Sequence, residues 1–596
     1  MCGICGWLAA PGQRPDLGAV RRMMDRLERR GPDHEGSFSD GPMALGHRRL
    51  SILDLSFHGH QPMIDSQNGL ALAFNGTIYN HPELRAELRG LGHRFDSTGD
   101  TEVILKAYAQ WGADCVRHLN GMFAFALWNL KTGCLLLARD RLGIKPLYYT
   151  DDPGNPQAPL RFASSLPALL AGGAVNTEFD PIALHHQFTL HGVVPAPHTV
   201  FKGARKLPPG HTLQIQADGR RTLTRYWQVD TTEVPDRSEA EWQERIHDGL
   251  LRSVKRRLNI SDVPVGVLLS GGLDSSLIVA LAAEAGITPQ TFTIGFEDQP
   301  EEKGSEFEFS DPVAARYKTK HHRFHIPNNQ VLERLPEAVS QMSEPMFGQD
   351  AIAFYLLSEQ VAREVKVVLS GQGADEVFGG YFWYPQMADA QKAHPGDDVA
   401  SFAPYYFDRD HEEFLQMVTA PFRGPDHTSD RIRREFAGLH GQSYINRVLG
   451  LDTSTLIVDD PVKRVDNMTM AWGLEARVPF LDHELVEMAM QMPAEYKLDL
   501  GGKGMLKRIA RGRIPDAVID RPKGYFPVPA LKFVRGPFFE FMRDILSTPA
   551  AQNRGLFEPA YVNRLLAEPD KHFTRLQGAK LWHLAVFELW LQQQGV

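Results

Sequence analysis

The sequence predicts an α/β protein of more than one domain, and three observations lead to this prediction. At 596 residues, the chain is several times longer than a typical domain of roughly 100–200 residues. Its 43% hydrophobic and 23% charged residues are typical of globular proteins and not of disordered chains. The pattern of predicted elements also changes near residue 239, which indicates two halves that are built differently.

Predicted strands dominate the first part of the chain, up to about residue 215. Residues 70–79 form an apolar run rich in strand formers. Residues 121–149 read as successive strands, with breaks at residues 131–133 and around Gly143. Amphipathic helices are predicted between the strands, at residues 17–30 and 101–110, and a hairpin over residues 211–227 that turns at residues 217–219.

The second half alternates strands with helices. Residues 229–238 are polar, contain a proline and lack periodicity, so we predict a linker there. Apolar residues then recur every four positions from Trp242 to Val254, as in an amphipathic helix. Further strands are predicted at residues 263–269, 291–296, 322–326 and 365–369. Strands that are apolar throughout and alternate with helices indicate a parallel sheet covered on both faces. After about residue 385 the patterns are mostly helical, and the predicted domains are residues 1–228 and 239–596.

Composition excludes several classes of protein. The net charge of -9 argues against a nucleic-acid-coating protein, which would carry a basic face. Four cysteines in the whole chain cannot form a disulfide framework and fit a reducing compartment. No apolar run reaches the ~18 residues of a membrane span, and the N-terminus lacks a signal-peptide pattern. We therefore expect a cytoplasmic protein without nucleic-acid or membrane partners. The sequence leaves the oligomeric state open, a homodimer included.

Cys2 is the first candidate catalytic residue. Cysteine is small enough for Met1 to be removed, which would leave a thiol and a free α-amine on one residue. An α-amine with a pKa of about 7.7–8.0 can accept the proton of a thiol with a pKa of about 8.5, so nucleophile and base would coincide. The alternative is that Cys2 and Cys5 form half of a zinc site. A lone C-x2-C is a weak zinc signal, because Cys115 and Cys134 are isolated.

The residues downstream of Cys2 favour the nucleophile. Five separate motifs resemble the class II glutamine amidotransferase domain, an N-terminal-nucleophile (Ntn) fold with an αββα sandwich. They are, in chain order, MCGICG at residues 1–6, RGPD at 30–33, HRRLSI at 47–52, FNGTIYN at 74–80 and TGDTE at 98–102. The resemblance covers essentially all of residues 1–215. It implies a glutaminase with Cys2 as its nucleophile.

The same resemblance implies a glutamine site. Arg49 would bind the α-carboxylate of glutamine through its guanidinium fork, and Asp100 would accept from the α-ammonium. The side-chain amide of Asn75 and the N–H of Gly76 would form the oxyanion hole. The implied glutamine contacts are, in full, Arg49, Leu50, Ser51, Ile52, Leu53, Asn75, Gly76 and Asp100. One position departs from the family: residue 77 is Thr, where asparagine synthetases carry Glu beside the substrate amine.

A second candidate site lies where the strand at residues 263–269 runs into Ser270-Gly271-Gly272 and a helix. Exposed backbone N–H groups and the positive end of a helix form an anion site suited to pyrophosphate. The alternative is plain helix capping by Asp274 and Ser275. The run SGGLDSS at residues 270–276 resembles the PP-loop of ATP pyrophosphatases, which cleave ATP between its α- and β-phosphates. It is not a Walker motif, since no G-K-[ST] follows.

This second resemblance implies an ATP site with a metal ion. The second nucleotide loop would be SGQGADE at residues 370–376, with Asp274 and Asp375 as Mg²⁺ ligands. Lys507 resembles the lysine that stabilises charge as pyrophosphate leaves. Residues 475–482 match another family stretch, which we interpret as structural. The implied ATP contacts are Leu268, Ser270, Gly271, Gly272, Asp274, Ser275, Ser276, Ile294, Ser370 and Gly371.

The histidines suggest no further metal site. His185-His186 and His321-His322 are the adjacent pairs, and neither has a carboxylate or cysteine partner at ligand spacing in the sequence. On this pattern we predict no metal bound by histidine.

Together, the two halves resemble the asparagine synthetase B family over nearly the whole chain. This resemblance implies that Cys2 releases ammonia from glutamine, that MgATP converts a substrate carboxylate into an acyl-adenylate, and that ammonia displaces AMP to leave a carboxamide. Rival interpretations are a tRNA-modifying ATP pyrophosphatase, disfavoured by the net charge of -9, and a catalytically inactive interaction protein, which would not be expected to keep both sets of site residues.

The acceptor is the remaining question. Residues 161–170 and 191–197 resemble the group of N-acetylglutaminylglutamine amidotransferases, which would make the acceptor an N-acylated dipeptide carboxylate. Asparagine synthetases read S-G-E-G-S-D-E in the second nucleotide loop, whereas this chain has Gln372 in place of the Glu. We therefore interpret Gln372 as the residue that sets acceptor specificity. One alternative is that Gln372 is a neutral replacement and that another carboxylate is the acceptor. The other is an asparagine synthetase, with aspartate as acceptor.

Overall fold

The first 225 residues form two stacked antiparallel sheets in a computed structural model of the chain. The structure describes residues 2–152, 155, 158–298, 303–441, 443–521, 528–532 and 534–596. The strand orders are β10-β8-β9-β1-β3-β2 and β12-β11-β7-β6-β5-β4. The strands are β1 (Cys2–Leu8), β2 (His34–Asp40), β3 (Met43–Arg49), β4 (Met63–Asp65), β5 (Leu70–Ile78), β6 (Gly121–Asn129), β7 (Cys134–Arg139), β8 (Tyr148–Thr150), β9 (Leu160–Ala163), β10 (Ala204–Lys206), β11 (His211–Ile215) and β12 (Arg221–Arg225).

Helices cover the outer faces of both sheets. They are α1 (Leu17–Arg26), α2 (His81–Gly90), α3 (Thr101–Trp111), α4 (Cys115–His118), α5 (Leu166–Ala171) and α6 (Pro181–Thr189). Between the sheets, Ile4 of β1 packs with the small side chains Ala71, Ala73 and Ala124, which allow the two layers to approach closely. The predicted αββα sandwich is confirmed, and so is the hairpin turn between β11 and β12.

The segment after β12 runs without helix or strand through residues 226–238, as the predicted linker requires. It is not loose, because Thr231 is fully buried and Val234 donates its N–H to the carbonyl of Gln491 at 2.8 Å. The linker ends at Ser238, which forms a capping box with Glu241 and starts the next helix.

The second half is built on a five-stranded parallel sheet with the order β15-β14-β13-β16-β17. Its strands are β13 (Val265–Leu268), β14 (Gln290–Phe296), β15 (His321–Ile326), β16 (Val367–Leu369) and β17 (Glu475–Arg477). The predicted parallel sheet is therefore confirmed. The fifth strand was not predicted, because β17 has only three residues and lies 106 positions after β16.

Helices surround this sheet and make up most of the C-terminal part, as predicted. They are α7 (Glu239–Asn259), α8 (Leu273–Glu284), α9 (Phe307–Tyr317), α10 (Asn328–Ser340), α11 (Asp350–Val361), α12 (Ala374–Phe378), α13 (Trp383–Ala393), α14 (Asp398–Tyr406), α15 (His411–Met417), α16 (His427–Gly438), α17 (Tyr444–Leu451), α18 (Lys463–Met470), α19 (His483–Gln491), α20 (Ala494–Leu498), α21 (Gly504–Ala510), α22 (Asp516–Ile519), α23 (Pro529–Lys532), α24 (Gly536–Leu546), α25 (Pro549–Arg554), α26 (Pro559–Ala567) and α27 (Lys580–Gln593).

Candidate active sites

The first candidate site lies where Cys2 meets the end of the second sheet. Cys2 begins β1 and pairs with Arg49 of β3, while Asn75 comes from β5 in the other sheet. The backbone N–H of Cys2 donates to Oδ1 of Asn75 at 3.0 Å. Met1, whose removal the sequence predicts, lies outside the described residues.

Asn75 and Gly76, the residues of the predicted oxyanion hole, both lie next to Cys2. Among the described residues, no acceptor lies within hydrogen-bond distance of the buried Nδ2 of Asn75. A Cβ at position 76 would lie 2.1 Å from the carbonyl oxygen of Met122, so only glycine fits there. An unpaired buried donor is costly unless a ligand uses it, and a developing negative oxygen is a ligand that Nδ2 of Asn75 could bind.

The thiol of Cys2 needs a base. Burial raises the pKa of the Cys2 thiol, and a hydrogen bond from the backbone of Leu50 only partly offsets this. A buried thiol with a raised pKa is a poor nucleophile at neutral pH. Cys5 is no zinc partner for it, because residues three apart on an extended strand point to opposite faces, and the Cys5 thiol faces the carbonyl of Val20.

The guanidinium of Arg49 is already engaged by a loop. It donates to the carbonyls of Leu53 and Ser56, each at 3.2 Å, and to the carbonyl of Asp54. The cavity next to Cys2 encloses only about 30 Å³, the room of a single water molecule. Its walls include Cys2, Arg49, Leu50, Ile52, Leu53, Gly76 and Asp100, whereas Ser51 and Asn75 are not among them. The cavity is too small for glutamine in this conformation, and the carbonyls of residues 53, 54 and 56 occupy the guanidinium of Arg49.

Asp100 closes the opposite side of this cavity. Its carboxylate accepts the backbone N–H of Ile78 at 2.9 Å. Burial raises the pKa of Asp100 to about 6. The side chain is therefore charged at neutral pH and becomes protonated in mildly acidic solution.

A residue from the second half of the chain also lines the cavity, which the sequence did not predict. Glu475, the first residue of β17, is fully buried and forms part of the wall. The hydroxyl of Thr77 donates to its carboxylate at 3.2 Å. Burial alone would raise the pKa of Glu475, but positive groups that include Arg477 and Lys145 lower it to about 2. A carboxylate from the second half of the chain therefore lies beside Thr77 in the wall of this cavity.

The second candidate site lies at the carboxyl ends of β13 and β16. The predicted PP-loop joins β13 to α8, and a Cβ on Gly271 would meet Cβ of Phe309 at 2.8 Å, so the turn depends on glycine. Gly371 of the second loop packs against Asp274. One cavity of about 670 Å³ opens here. It includes the predicted Leu268, Ser270, Gly272, Asp274, Ser275, Ile294, Ser370, Gly371, Gln372 and Asp375, while Gly271 and Ser276 lie behind its wall.

The two predicted metal ligands converge on one cation. The ammonium of Lys503 lies 2.5 Å from Oδ2 of Asp274 and 2.9 Å from Oδ2 of Asp375. Burial alone would lower the pKa of Lys503, and the two carboxylates raise it instead. The paired hard oxygens fit Mg²⁺, and a bound metal would have to displace the ammonium from one carboxylate or both.

Lys507, the lysine that the sequence singled out, lies at the edge of the same cavity. Its ammonium donates to the carbonyl of Leu500 at 2.5 Å. Lys503 is nearer to the metal ligands and was missed, although its position between Gly502 and Gly504 was a signal. Its φ of 55° gives the turn a left-handed conformation that aims the side chain inward.

Aromatic and charged side chains also line the large cavity. Tyr381 and Trp383 stack at 4.2 Å between ring centroids, and Gln372 belongs to the same lining. Arg464 bonds Asp350 at 3.0 Å and Asp460 at 2.5 Å. The lining therefore contains the carboxylates of Asp350 and Asp460, and Arg464 already neutralises both.

Strand β17 connects the two sites. Glu475 at its start borders the cavity next to Cys2. Two residues later, the carbonyl of Arg477 accepts the N–H of Ser370, which begins the second nucleotide loop, at 2.9 Å. Because a strand rises about 3.3 Å per residue, the two contacts are roughly 7 Å apart along β17. A shift of this strand would therefore move residues that line both cavities.

Comparison with known proteins identifies the family. The protein-family model of the glutamine amidotransferase domain matches residues 1–227, and the family model named asparagine synthase matches residues 245–592. Asparagine synthetase [glutamine-hydrolyzing] 3 of Bacillus subtilis is 31% identical over 99% of this chain and 98% of its own length. The chain belongs to the asparagine synthetase family.

Other relatives extend this picture. Asparagine synthetase 1 of the same organism is 32% identical over 99% of the chain and 96% of its own length. A Penicillium rubens protein named amidase chyE is 27% identical over 94% of the chain and 93% of its own length. The protein is accordingly an ATP-dependent ligase that takes nitrogen from glutamine and acts on a carboxylate. In the part of the chain that the structure describes, no helix is long and apolar enough to cross a membrane.

Proposed function

We propose that this synthetase converts the carboxylate of an N-acylated dipeptide, N-acetylglutaminylglutamine, into an amide, with glutamine as nitrogen donor. The observation that carries the proposal is Gln372, a neutral side chain in the wall of the ATP cavity where asparagine synthetases have a carboxylate.

In the glutaminase step, removal of Met1 turns the N–H of Cys2 into an α-amine. That amine takes the thiol proton, and the thiolate attacks the side-chain amide of glutamine. Nδ2 of Asn75 and the N–H of Gly76 receive the developing negative oxygen. The amine returns the proton to the leaving ammonia, and water then hydrolyses the thioester.

Arg49 and Asp100 bind the two ends of the amino-acid group. The guanidinium exchanges loop carbonyls for the α-carboxylate, which is a stronger acceptor because it is charged. Asp100 accepts from the α-ammonium. Glu475, held by the hydroxyl of Thr77, adds a second negative charge to this cavity.

In the synthetase step, the two glycine turns and the N-terminus of α8 bind the phosphates of ATP. Asp274 and Asp375 would hold Mg²⁺, which would neutralise charge between the phosphates. Lys503 and Lys507 then face the pyrophosphate as it leaves. The acceptor carboxylate attacks the α-phosphorus, and ammonia displaces AMP from the resulting acyl-adenylate.

The acceptor is inferred from charge. Aspartate carries an α-ammonium that needs an anionic partner once it leaves water, because an unpaired buried charge costs several kcal/mol. Gln372 has no charge, and Asp350 and Asp460 already pair with Arg464. Glu376, which also lines the cavity, already accepts the hydroxyl of Tyr381 at 2.8 Å. An N-acylated dipeptide has no ammonium and carries amides that Gln372 can both donate to and accept from.

Asparagine synthesis is the second candidate, since the two Bacillus subtilis relatives carry that name over their full lengths. The deciding experiment measures AMP release with saturating ATP and ammonium, and compares kcat/KM for N-acetylglutaminylglutamine, unacetylated glutaminylglutamine and aspartate. We expect the acetylated dipeptide to be preferred by at least tenfold over both. Equal or better turnover of aspartate would make the protein an asparagine synthetase. Equal turnover of the unacetylated dipeptide would show that an α-ammonium on the acceptor is not what the cavity excludes.

A further inference from the structure

Three side chains able to ligate a metal ion meet outside the lining of both cavities. His185 lies on α6, His411 begins α15, and Asp426 precedes α16. Nε2 of His185 is 3.0 Å from Nδ1 of His411 and 3.9 Å from Oδ1 of Asp426. All three ligand atoms lie within 4.8 Å of one another.

These spacings fit a small tetrahedral ion. Zinc binds histidine nitrogen and carboxylate oxygen at about 2.0–2.2 Å, which places tetrahedral donors roughly 3.4 Å apart. The observed 3.0 and 3.9 Å bracket this spacing, and the third separation, between His411 and Asp426, is within 4.8 Å, so side-chain rotations can bring the three donors to tetrahedral spacing. Two imidazoles with one carboxylate form a donor set that suits Zn²⁺.

A buried hydroxyl fixes the direction of the His185 ring. Nδ1 of His185 lies 2.6 Å from Oγ1 of Thr428, and the same oxygen lies 3.0 Å from Nδ1 of His186. The hydroxyl has one proton, so it donates to one ring and accepts from the other. If Nδ1 of His185 donates to it, Nε2 presents its lone pair to His411 and Asp426. Outer hydrogen bonds of this kind orient metal-binding histidines.

The carboxylate ligand is held in place and remains accessible to water. The Asp426 carboxylate is fixed by the N–H of Ser429 at 2.9 Å, and its side chain is 35% exposed. Water can therefore reach the cluster and occupy a fourth position.

We propose that His185, His411 and Asp426 bind one Zn²⁺ ion that joins the two halves of the protein. His185 belongs to the glutamine amidotransferase match, and the other two ligands belong to the asparagine synthase match. On binding, Nδ1 of His411 exchanges its hydrogen bond with His185 for the metal, and the ring proton moves to Nε2. The sequence pattern could not reveal this cluster, because its histidines are 226 positions apart.

The alternative is a hydrogen bond between two neutral histidines that joins α6 to α15 without a metal. Both interpretations explain the 3.0 Å contact, and Asp426 has a role in either, because it also caps α16 through the N–H of Ser429. The two differ in metal content and in the effect of a chelator, so they can be separated directly.

The test uses the full-length protein without a histidine tag, stripped with EDTA and titrated with Zn²⁺ by calorimetry. Co²⁺ titration then reports coordination through its visible absorption. His411→Gln and Asp426→Asn are the diagnostic variants, because His411 is only half-buried and Asn caps a helix as well as Asp does. The matched control is His321→Gln, since His321 also lies near a carboxylate, with Nε2 3.6 Å from Asp311, but belongs to no three-ligand cluster among the described residues.

We expect one zinc per chain for the wild type and for His321→Gln, and a rise in Tm of at least about 3 °C at saturating zinc. Both diagnostic variants should lose the bound equivalent and the rise in Tm while their circular dichroism stays that of the wild type. The proposal is overturned if the wild type takes up no stoichiometric zinc, or if Asp426→Asn and His411→Gln bind zinc as well as His321→Gln does.

Discussion

The hydroxyl of Thr77 lies 3.2 Å from a carboxylate oxygen of Glu475, although 398 positions separate the two residues. The contact places an ionised group of the second half in the wall of the glutamine cavity. The same strand ends on the second nucleotide loop, through the carbonyl of Arg477 and the N–H of Ser370. Glutamine binding should therefore depend on a residue of the synthetase half.

The first prediction concerns this carboxylate. Glu475→Gln removes a negative charge from the glutamine cavity but keeps the shape of the side chain. We expect the KM for glutamine to rise by about 10- to 100-fold, the effect of losing a charged hydrogen-bond partner. Synthesis from ammonium salts should change by less than about threefold in the same preparation.

The control for this prediction is Thr77→Val, which removes the hydroxyl but leaves the carboxylate charged. It should raise the KM for glutamine by less than Glu475→Gln does. If both activities of Glu475→Gln fall in parallel, the residue has a structural role only, through its contact with Arg477 at 2.5 Å.

Cys2 gives the second prediction. Cys2→Ser should abolish glutamine-dependent synthesis and spare synthesis from ammonium, because the two cavities are separate. Cys5→Ala, on the same strand, is the matched thiol control and should keep both activities. Intact-mass analysis should show that Met1 is absent from the active protein; an active protein that keeps it would refute the α-amine as base.

The pH dependence of glutamine use gives the third prediction. Burial raises the pKa of Asp100 from 3.8 to about 6, so the carboxylate that would bind the α-ammonium is lost as the pH falls through 6. The KM for glutamine should then rise, by up to about tenfold per pH unit. Asp100→Asn should raise the KM at neutral pH and flatten this profile. A profile that is the same in wild type and variant would exclude Asp100 as the titrating group.

The raised pKa of Asp100 also affects the pH dependence of folding stability. Here the protonated form is the favourable one, whereas glutamine binding needs the charged form. A carboxyl group whose pKa is higher in the folded state binds its proton more tightly there. Asp100 therefore stabilises the fold most below about pH 4 and contributes less as the pH rises towards 6. Glu475, with a pKa lowered to about 2, acts in the reverse direction: its contribution is present above about pH 4.5 and is lost as the pH falls towards 2.

The sequence predicted the architecture because both halves carry strong local signals. Cys2, Gly76 and the PP-loop could be located in advance, since each lies in a compact motif at the end of a strand. Glu475 could not, because its role depends on β17 pairing with β16 and bringing a distant strand against Thr77. The sequence predicted Lys507 and not Lys503, because a sequence pattern does not show which of two lysines four residues apart points into the site. The left-handed backbone at Lys503 gives the two side chains different directions.

The two lysines give the fourth prediction. Lys503 contacts both proposed metal ligands, whereas Lys507 lies at the edge of the cavity. Lys503→Met should reduce ATP cleavage by at least about 100-fold, and Lys507→Met by a smaller factor.

The proposed metal ligands are tested in the same assay. Asp274→Asn and Asp375→Asn should each remove most ATP cleavage while glutaminase activity remains measurable. The products should be AMP and pyrophosphate; ADP and phosphate would contradict the PP-loop assignment. A larger loss in Lys507→Met would reverse the roles of the two lysines.

The last prediction concerns Gln372 and the choice of acceptor. Gln372→Glu restores the carboxylate that asparagine synthetases carry in this loop, in a side chain of nearly the same size. The new charge can pair with the α-ammonium of aspartate, so we expect kcat/KM for aspartate to rise by at least about tenfold. The same charge should disfavour the N-acylated dipeptide, whose only charge is its carboxylate.

The matched control is Gln577→Glu, which adds an identical charge to another position in the lining of the same cavity and should not improve aspartate use. Both reactions are followed by AMP release with saturating ATP and ammonium, which removes the glutaminase step from the comparison. If Gln372→Glu leaves the ratio of the two acceptors unchanged, position 372 does not set specificity, and the choice lies with the aromatic wall around Tyr381 and Trp383.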